Sequence, residues 1–192
     1  MKAPRCLVVL MVLVPLAASA ETYKIDSSRS RIAFSVHQFL SSVHGEFRRF
    51  SGTIEVNREH PEQSSVITRI SIASIDTHIR KRDQHLLSSE FFDAAKFPEI
   101  TFKSRSVKRN DENSGDIIGD FTMHGVTRPM TLHVRLATVV SGDVLPATTR
   151  WIVTTDPINR KDFGLTFGSA TESISGISNE VASTIEIEAV RK

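Results

Sequence analysis

From Ile32 to the C-terminal residues the chain alternates apolar and polar side chains with a period of two, and a 3.6-residue period is almost absent. Ile32, Phe34 and Val36 alternate with Ala33, Ser35 and His37, and Val43, Gly45 and Phe47 lead into Ile54 and Val56. Val66, Thr68, Ile70 and Ile72 share one phase, as do Ile100, Phe102 and Ser104. Met130, Leu132, Val134 and Leu136 continue it, and Val181, Ser183, Ile185 and Ile187 stand against Glu186 and Glu188. Such a pattern suits strands with one buried face.

Turn-forming residues separate the runs. Asp111 to Gly115 breaks the chain between two strands, Ser141-Gly142-Asp143 does the same, and Gly125 to Pro129 reads as a short link before Met130. About eight strands with short connections suit an antiparallel meander. Left open, that sheet would expose an apolar face and two unpaired edges, and closure removes both. The expected fold is therefore all-β, a single eight-stranded antiparallel barrel. One segment near residues 80–95 has Leu86, Leu87, Phe91 and Phe92 spaced for short helical turns and is ended by Pro98. It is too short and polar for a second domain and fits across a barrel mouth. A barrel of this size is either filled by its own side chains or holds one small ligand, and the pattern alone leaves both open. Strand phase points Phe34, Val36, Phe47, Ile54, Ile70, Ile72, Phe102, Phe121, Leu132 and Trp151 inward. A one-residue register error would invert a strand's contribution.

The first residues follow another logic. Lys2 and Arg5 precede the apolar run Cys6 to Leu16, and Ala18-Ser19-Ala20 offers a small-residue cleavage site before Glu21. Residues 1–20 thus read as a secretory signal peptide, cleaved after Ala20, with the mature domain at 21–192. The run is short of the ~20 residues that span a bilayer. The full chain carries 24 Lys+Arg against 22 Asp+Glu, and the signal holds two of the bases and no acid, so the mature chain is neutral. A neutral chain has no general pull on phosphate backbones, so no nucleic-acid partner is expected. Cys6, the only cysteine, would leave with the signal and take thiol chemistry and disulfides with it.

Four stretches resemble the YceI-like family of exported, lipocalin-like barrels. The first is Ile25-Asp26 with Ile32 to His37 and Gly45 to Ile54. The second, and the most specific, runs Arg82-Asp83-Gln84-His85-Leu86 into Phe91-Phe92-Asp93 and Phe97 to Ser104. The third is Gly119 to Leu132, and the fourth is Asn159 to Leu165. They occur in family order over nearly the whole mature chain. Ser28-Arg29-Ser30 departs from it, since the family more often has a histidine before the serine. The resemblance implies a periplasmic protein that binds a long-chain isoprenoid, such as a quinone or a polyprenyl phosphate, or another lipid within the barrel. No other cofactor is implied, and a homodimer is compatible with it.

Arg82 and His85 are the candidates for a head-group contact, as a guanidinium fork and an imidazole suit phosphate or quinone oxygens. Asp83 reads better as a clamp between helical turn and barrel. Arg128, and Arg160 with Asp162, read as turn and end-cap residues. No metal motif occurs, and His124 with His133, which could meet across a hairpin, would give only two ligands. No nucleophile elbow or glycine-rich phosphate loop is present, though an active site can be built from distant residues. It is the resemblance that implies a carrier rather than an enzyme. A hydrolase using His and Asp residues at the mouth is the alternative.

Overall fold

A computed structural model describes residues 20–140, 147–167 and 176–192. The signal-peptide reading of residues 1–20 and the Ser141-Gly142-Asp143 turn lie outside the described residues, save for Ala20. The strands are β1 (Glu21–Ile25), β2 (Arg31–Gln38), β3 (Ser41–Phe47), β4 (Phe50–Val56), β5 (Ser65–Ser71) and β6 (Ile75–Asp76). There follow β7 (Glu99–Arg109), β8 (Ser114–Met123), β9 (Val126–Val140), β10 (Thr148–Thr155), β11 (Ile158–Asn159) and β12 (Ile177–Arg191). One helix, α1 (Arg80–Leu87), follows β6.

These strands form eight positions around one closed antiparallel barrel, because three positions are filled by pairs of segments. β1 and β2 run in line along the same edge of β12, at Ala189–Arg191 and Ile177–Glu186. β3 and β4 run in line opposite them, and β5 and β6 do so again opposite β4 and β3. β7, β8, β9, β10 and β12 complete the circuit, which closes through β1 on β12. Residues 26–30 are the interruption between β1 and β2. They stay stitched to β12, since the Ser30 hydroxyl donates to the Asp26 carbonyl at 2.7 Å and accepts from Glu188 N–H at 2.8 Å.

Two bulges reset the alternation. In β7, Ser104 pairs Gly119 and Ser106 pairs Ile118, which leaves Arg105 without a partner and brings Val107, not Ser106, into the inward phase. In β9, Leu136 pairs Trp151 while Thr138 pairs Arg150, so Ala137 is the extra residue. The expected link at Gly125–Pro129 is corrected as well: β9 already begins at Val126, and Pro129 pairs Asp120 inside it. β9 gains its second neighbour, β10, only from Leu132 onward. Pro129 therefore sits where one edge is free and a missing N–H is tolerated. Arg128 is accordingly an exposed strand residue, not a turn residue.

The base of the barrel, at the β1–β4 end, is held by a polar knot. The Tyr23 hydroxyl donates to Glu21 at 2.7 Å, and Arg58 reaches Glu21 at 3.1 Å and the Tyr23 oxygen at 3.3 Å. The Tyr23 hydrogen bond, helped by Arg58, holds the Glu21 carboxyl below its ordinary range, while burial pushes the Tyr23 hydroxyl up. Asp116 is likewise lowered, first by Asn110 and then by His133. A carboxylate whose pKa is depressed on folding contributes stability that is complete above its unfolded value and lost as pH falls through its folded value. Urea midpoints should therefore be flat near neutrality and fall below about pH 4. Glu21→Gln should flatten part of that fall; an unchanged acid limb in the variant would show that Glu21 plays no part.

Candidate ligand cavity

The inward faces of the strands do not meet. They enclose a cavity of about 700 Å³, lined overwhelmingly by apolar side chains and within the usual range of small-molecule sites. Two aromatic–glycine contacts help to keep the middle hollow. Gly45 lies opposite Phe34 in the β2–β3 register, and a Cβ there would stand 2.4 Å from Phe34 Cζ. A Cβ on Gly119 would stand 2.6 Å from Phe102 Cζ. Both rings fold down onto the backbone of the neighbouring strand instead of crossing the lumen.

Phe34, Val36, Phe47, Ile54, Ile70, Phe102, Phe121, Leu132 and Trp151 all stand on the cavity wall. Ile72 does not. β5 ends at Ser71 and the chain turns into a single 3-10 turn over Ile72–Ser74, which cancels the strand phase. Ile72 is 1% exposed and packs in the core outside the lumen. Val43, Met130 and Ile185, in the strand phase but not among the ten expected wall residues, also line the lumen, as does Val153. Alternation gives no sign of the cluster at the α1 end, where Phe91 stacks on Phe167 at 4.7 Å and meets Phe92 edge-on at 5.1 Å. The adjacent Phe91-Phe92 was the available signal for it.

The lumen reaches polar groups at both ends. At the α1 end these include Gln38, Thr77, Arg82, His85 and Arg160; at the other, Asn57, Arg58, Lys108, Arg109 and Asp111. Thr77 is 2% exposed and is the hub of the first set. Asp83 accepts from its N–H at 2.9 Å and its hydroxyl at 2.6 Å, which makes Asp83 the expected clamp of α1. Arg82 donates Nε to the Thr77 hydroxyl and Nη2 to its carbonyl, each at 2.8 Å, and makes no other hydrogen bond among the described residues. One edge of its guanidinium is therefore spent on the fold. The His85 ring stacks on Phe167 at 6.0 Å, with Nδ1 3.3 Å from the exposed Glu90 carboxylate. Arg160 is not the surface cap expected: it is 3% exposed and donates to the carbonyls of Leu165 at 2.7 Å and Ser178 at 3.1 Å. Its guanidinium lies 5.2 Å from the Phe167 ring centre.

His124 and His133 do not meet. The β8–β9 register pairs His133 with Asp116, with Nδ1 at 2.7 Å from Oδ1, while His124 sits in the turn and contacts the Phe163 carbonyl at 3.0 Å. Among the described residues no three His, Cys, Asp or Glu side chains converge as a metal site would require.

The YceI-like domain pattern matches residues 23–189. Protein YceI of Escherichia coli O157:H7 is 39% identical over 123 residues, which span 62% of this chain and 64% of that protein, a little under two thirds. The crystal structure of Burkholderia cenocepacia BcnA superposes with a TM-score of 0.77 at 23% identity, covering 86% of this chain and 99% of that one. A polyisoprenoid binding domain from Saccharophagus degradans superposes with a TM-score of 0.61 at 17% identity, covering 88% and 98%. At these identities the two structures speak for the fold.

Proposed function

This chain belongs to the YceI-like family, and on that footing we propose that it is a periplasmic lipid carrier. The cargo is a long-chain isoprenoid of quinone or polyprenyl phosphate type, or a similar amphiphile, held in the barrel for transport, storage or sequestration. The observation that carries the reading is the unfilled apolar lumen of about 700 Å³. The likeness of its fold to a polyisoprenoid binding domain supports it. Each methylene moved from water into such a lumen gains ~0.8 kcal/mol, so ten contribute ~8 kcal/mol before the cost of ordering the tail. An apolar tube rewards length over head-group identity, and selectivity among long tails should be loose.

In this reading Arg82 and His85, both on the cavity lining at the α1 end, meet the head group, since Thr77 engages only Nε and Nη2 of the Arg82 guanidinium. Export agrees with the Lys2-to-Ala20 pattern, and cleavage after Ala20 would leave Glu21, the first residue of β1, at the new terminus. No helix among the described residues is long and apolar enough to cross a membrane. A hydrolytic role at the mouth draws no support from Asp83, whose carboxylate is engaged by Thr77.

Organic extraction of the purified protein followed by mass spectrometry tests the proposal. One long-chain isoprenoid or related lipid per chain is expected, and adding a soluble isoprenoid to delipidated protein should change the emission of Trp151, the only tryptophan and a wall residue. Protein with no extractable lipid and no Trp151 response to farnesol would overturn it.

A further inference from the structure

The β2–β3 hairpin places Phe34, Val36 and Val43 on the cavity wall and ends in a two-residue turn, Phe39-Leu40, between Gln38 and Ser41. Phe39 is 73% exposed and Leu40 fully so, the two most exposed large apolar residues among those described. Phe39 also has φ of +52°, in the left-handed region that bulky side chains rarely adopt. Two-residue hairpin turns with a positive φ at the first position favour glycine there. The chain thus leaves Leu40 in water and Phe39 mostly so, its ring touching Gly176 on one side, and Phe39 sits on an unfavourable backbone; such cost persists at sites of function. The tip is anchored: Phe39 N–H donates to the Gly176 carbonyl at 3.1 Å.

We propose that this tip is a membrane-docking wedge that seats the α1 end of the barrel on a lipid surface, the source or destination of its cargo; this rests on the carrier reading. Charge and size both select a bilayer as the occupant. From Ile32 to Gly45 there is no Asp, Glu, Lys or Arg, and His37 and His44 are the only ionisable side chains. The hairpin therefore meets little charge-desolvation cost on entering the boundary between head groups and acyl chains. A stable protein interface needs about 800 Å² from each partner, far more than two side chains offer, whereas shallow insertion of apolar groups is enough for an interfacial anchor. The wall residues of the same hairpin make the tip continuous with the lumen, so a tail leaving the bilayer beside it would meet apolar surface throughout.

The test is flotation of the mature protein with vesicles of phosphatidylcholine alone, comparing wild type with the double variant Phe39→Gly, Leu40→Ser. Glycine suits the backbone at position 39, which offsets the loss of the ring's contact with Gly176, so the variant should melt close to the parent. The vesicle-bound fraction should nevertheless fall about tenfold, and wild-type binding should be insensitive to added salt, as an uncharged wedge requires. Equal flotation of the two proteins overturns the proposal, as does wild-type binding that salt abolishes. Failure of the wild type to float overturns it outright, and a wild-type dimer that the double variant breaks into monomers would then name a second copy as the occupant. The change in Trp151 emission on adding farnesol should be the same in both proteins, which separates docking from cargo binding. A wild type that floats, yields no lipid on extraction and ignores farnesol sinks the carrier reading, and leaves membrane docking by the tip without its link to cargo.

Discussion

Purified Leu132→Asp protein is expected to carry little or no lipid, with affinity for an isoprenoid reduced at least about tenfold. Leu132 lines the lumen and is only partly buried by protein atoms, so its side chain has the cavity as its neighbour. In the empty barrel a carboxylate there can keep water around it, and the fold survives. A hydrocarbon tail would have to strip that water away, and an unpaired charge is not desolvated by so weak a force as dispersion contact. Displacing as few as two methylenes from the tail's path already forfeits ~1.6 kcal/mol, more than a factor of ten. Phe102→Asp tests the same wall less cleanly, because Phe102 is 4% exposed and its ring covers Gly119. That change threatens the barrel itself. Leu132→Met should bind as the parent does. Extraction and mass spectrometry on all three proteins, with thermal melts beside them, give the answer; undiminished lipid in Leu132→Asp would place the tail elsewhere.

Strand existence and phase were readable because one face of each strand is buried and the other wet, which forces the period of two. Closure into a barrel followed from the number of such strands. The sequence concealed how the barrel positions are broken. Nothing in the alternation marks Arg105 or Ala137 as bulges, since both lie in runs where adjacent residues could exchange roles without a change of pattern. Ile72 failed for a related reason. It continues the phase of Val66 to Ile70, but the chain has left the sheet by then. Its apolar character is spent on the core at a 3-10 turn, a use that period alone cannot separate from lumen lining.

The hollow itself was not legible from alternation, because inward phenylalanines read equally well as filling. Their relation to glycines on adjacent strands decides the matter, and that relation exists only once register is fixed: Phe34 lies opposite Gly45, and Phe102 reaches diagonally to Gly119. The mouth was half legible. The Arg82-to-His85 segment fell where expected, and Asp83 acts as a clamp, yet the partner that organises the segment, Thr77, gave no signal as an isolated threonine.

Arg160 was the residue most underrated by sequence, and its replacement should have the largest effect on stability. Next to Asp162 and just before Gly164 it resembles a capping residue, but it is 3% exposed. It ties the turn after β11 to the start of β12 through Leu165, Ser178 and the Asn179 side-chain oxygen at 3.1 Å. Arg160→Met keeps much of the bulk and removes the donors. The Leu165 carbonyl is buried, and left without this donor it costs ~1–3 kcal/mol, while the half-buried Ser178 carbonyl adds less and the exposed Asn179 turns to water. A loss of roughly 2–4 kcal/mol is expected, a sizeable share of the ~5–15 kcal/mol that holds a domain folded. Arg160→Lys should recover only part of it, because an ammonium on a flexible stem does not reproduce the fixed fork. The damage should not stay local. Phe167 lies under the guanidinium and against Phe91 and His85, so loosening the turn loosens the wall at the α1 end of the cavity. Urea unfolding of the three proteins measures the first effect, and lipid retention at temperatures where Arg160→Met is still folded measures the second. A variant within about 1 kcal/mol of the parent would mean that water replaces the guanidinium without cost.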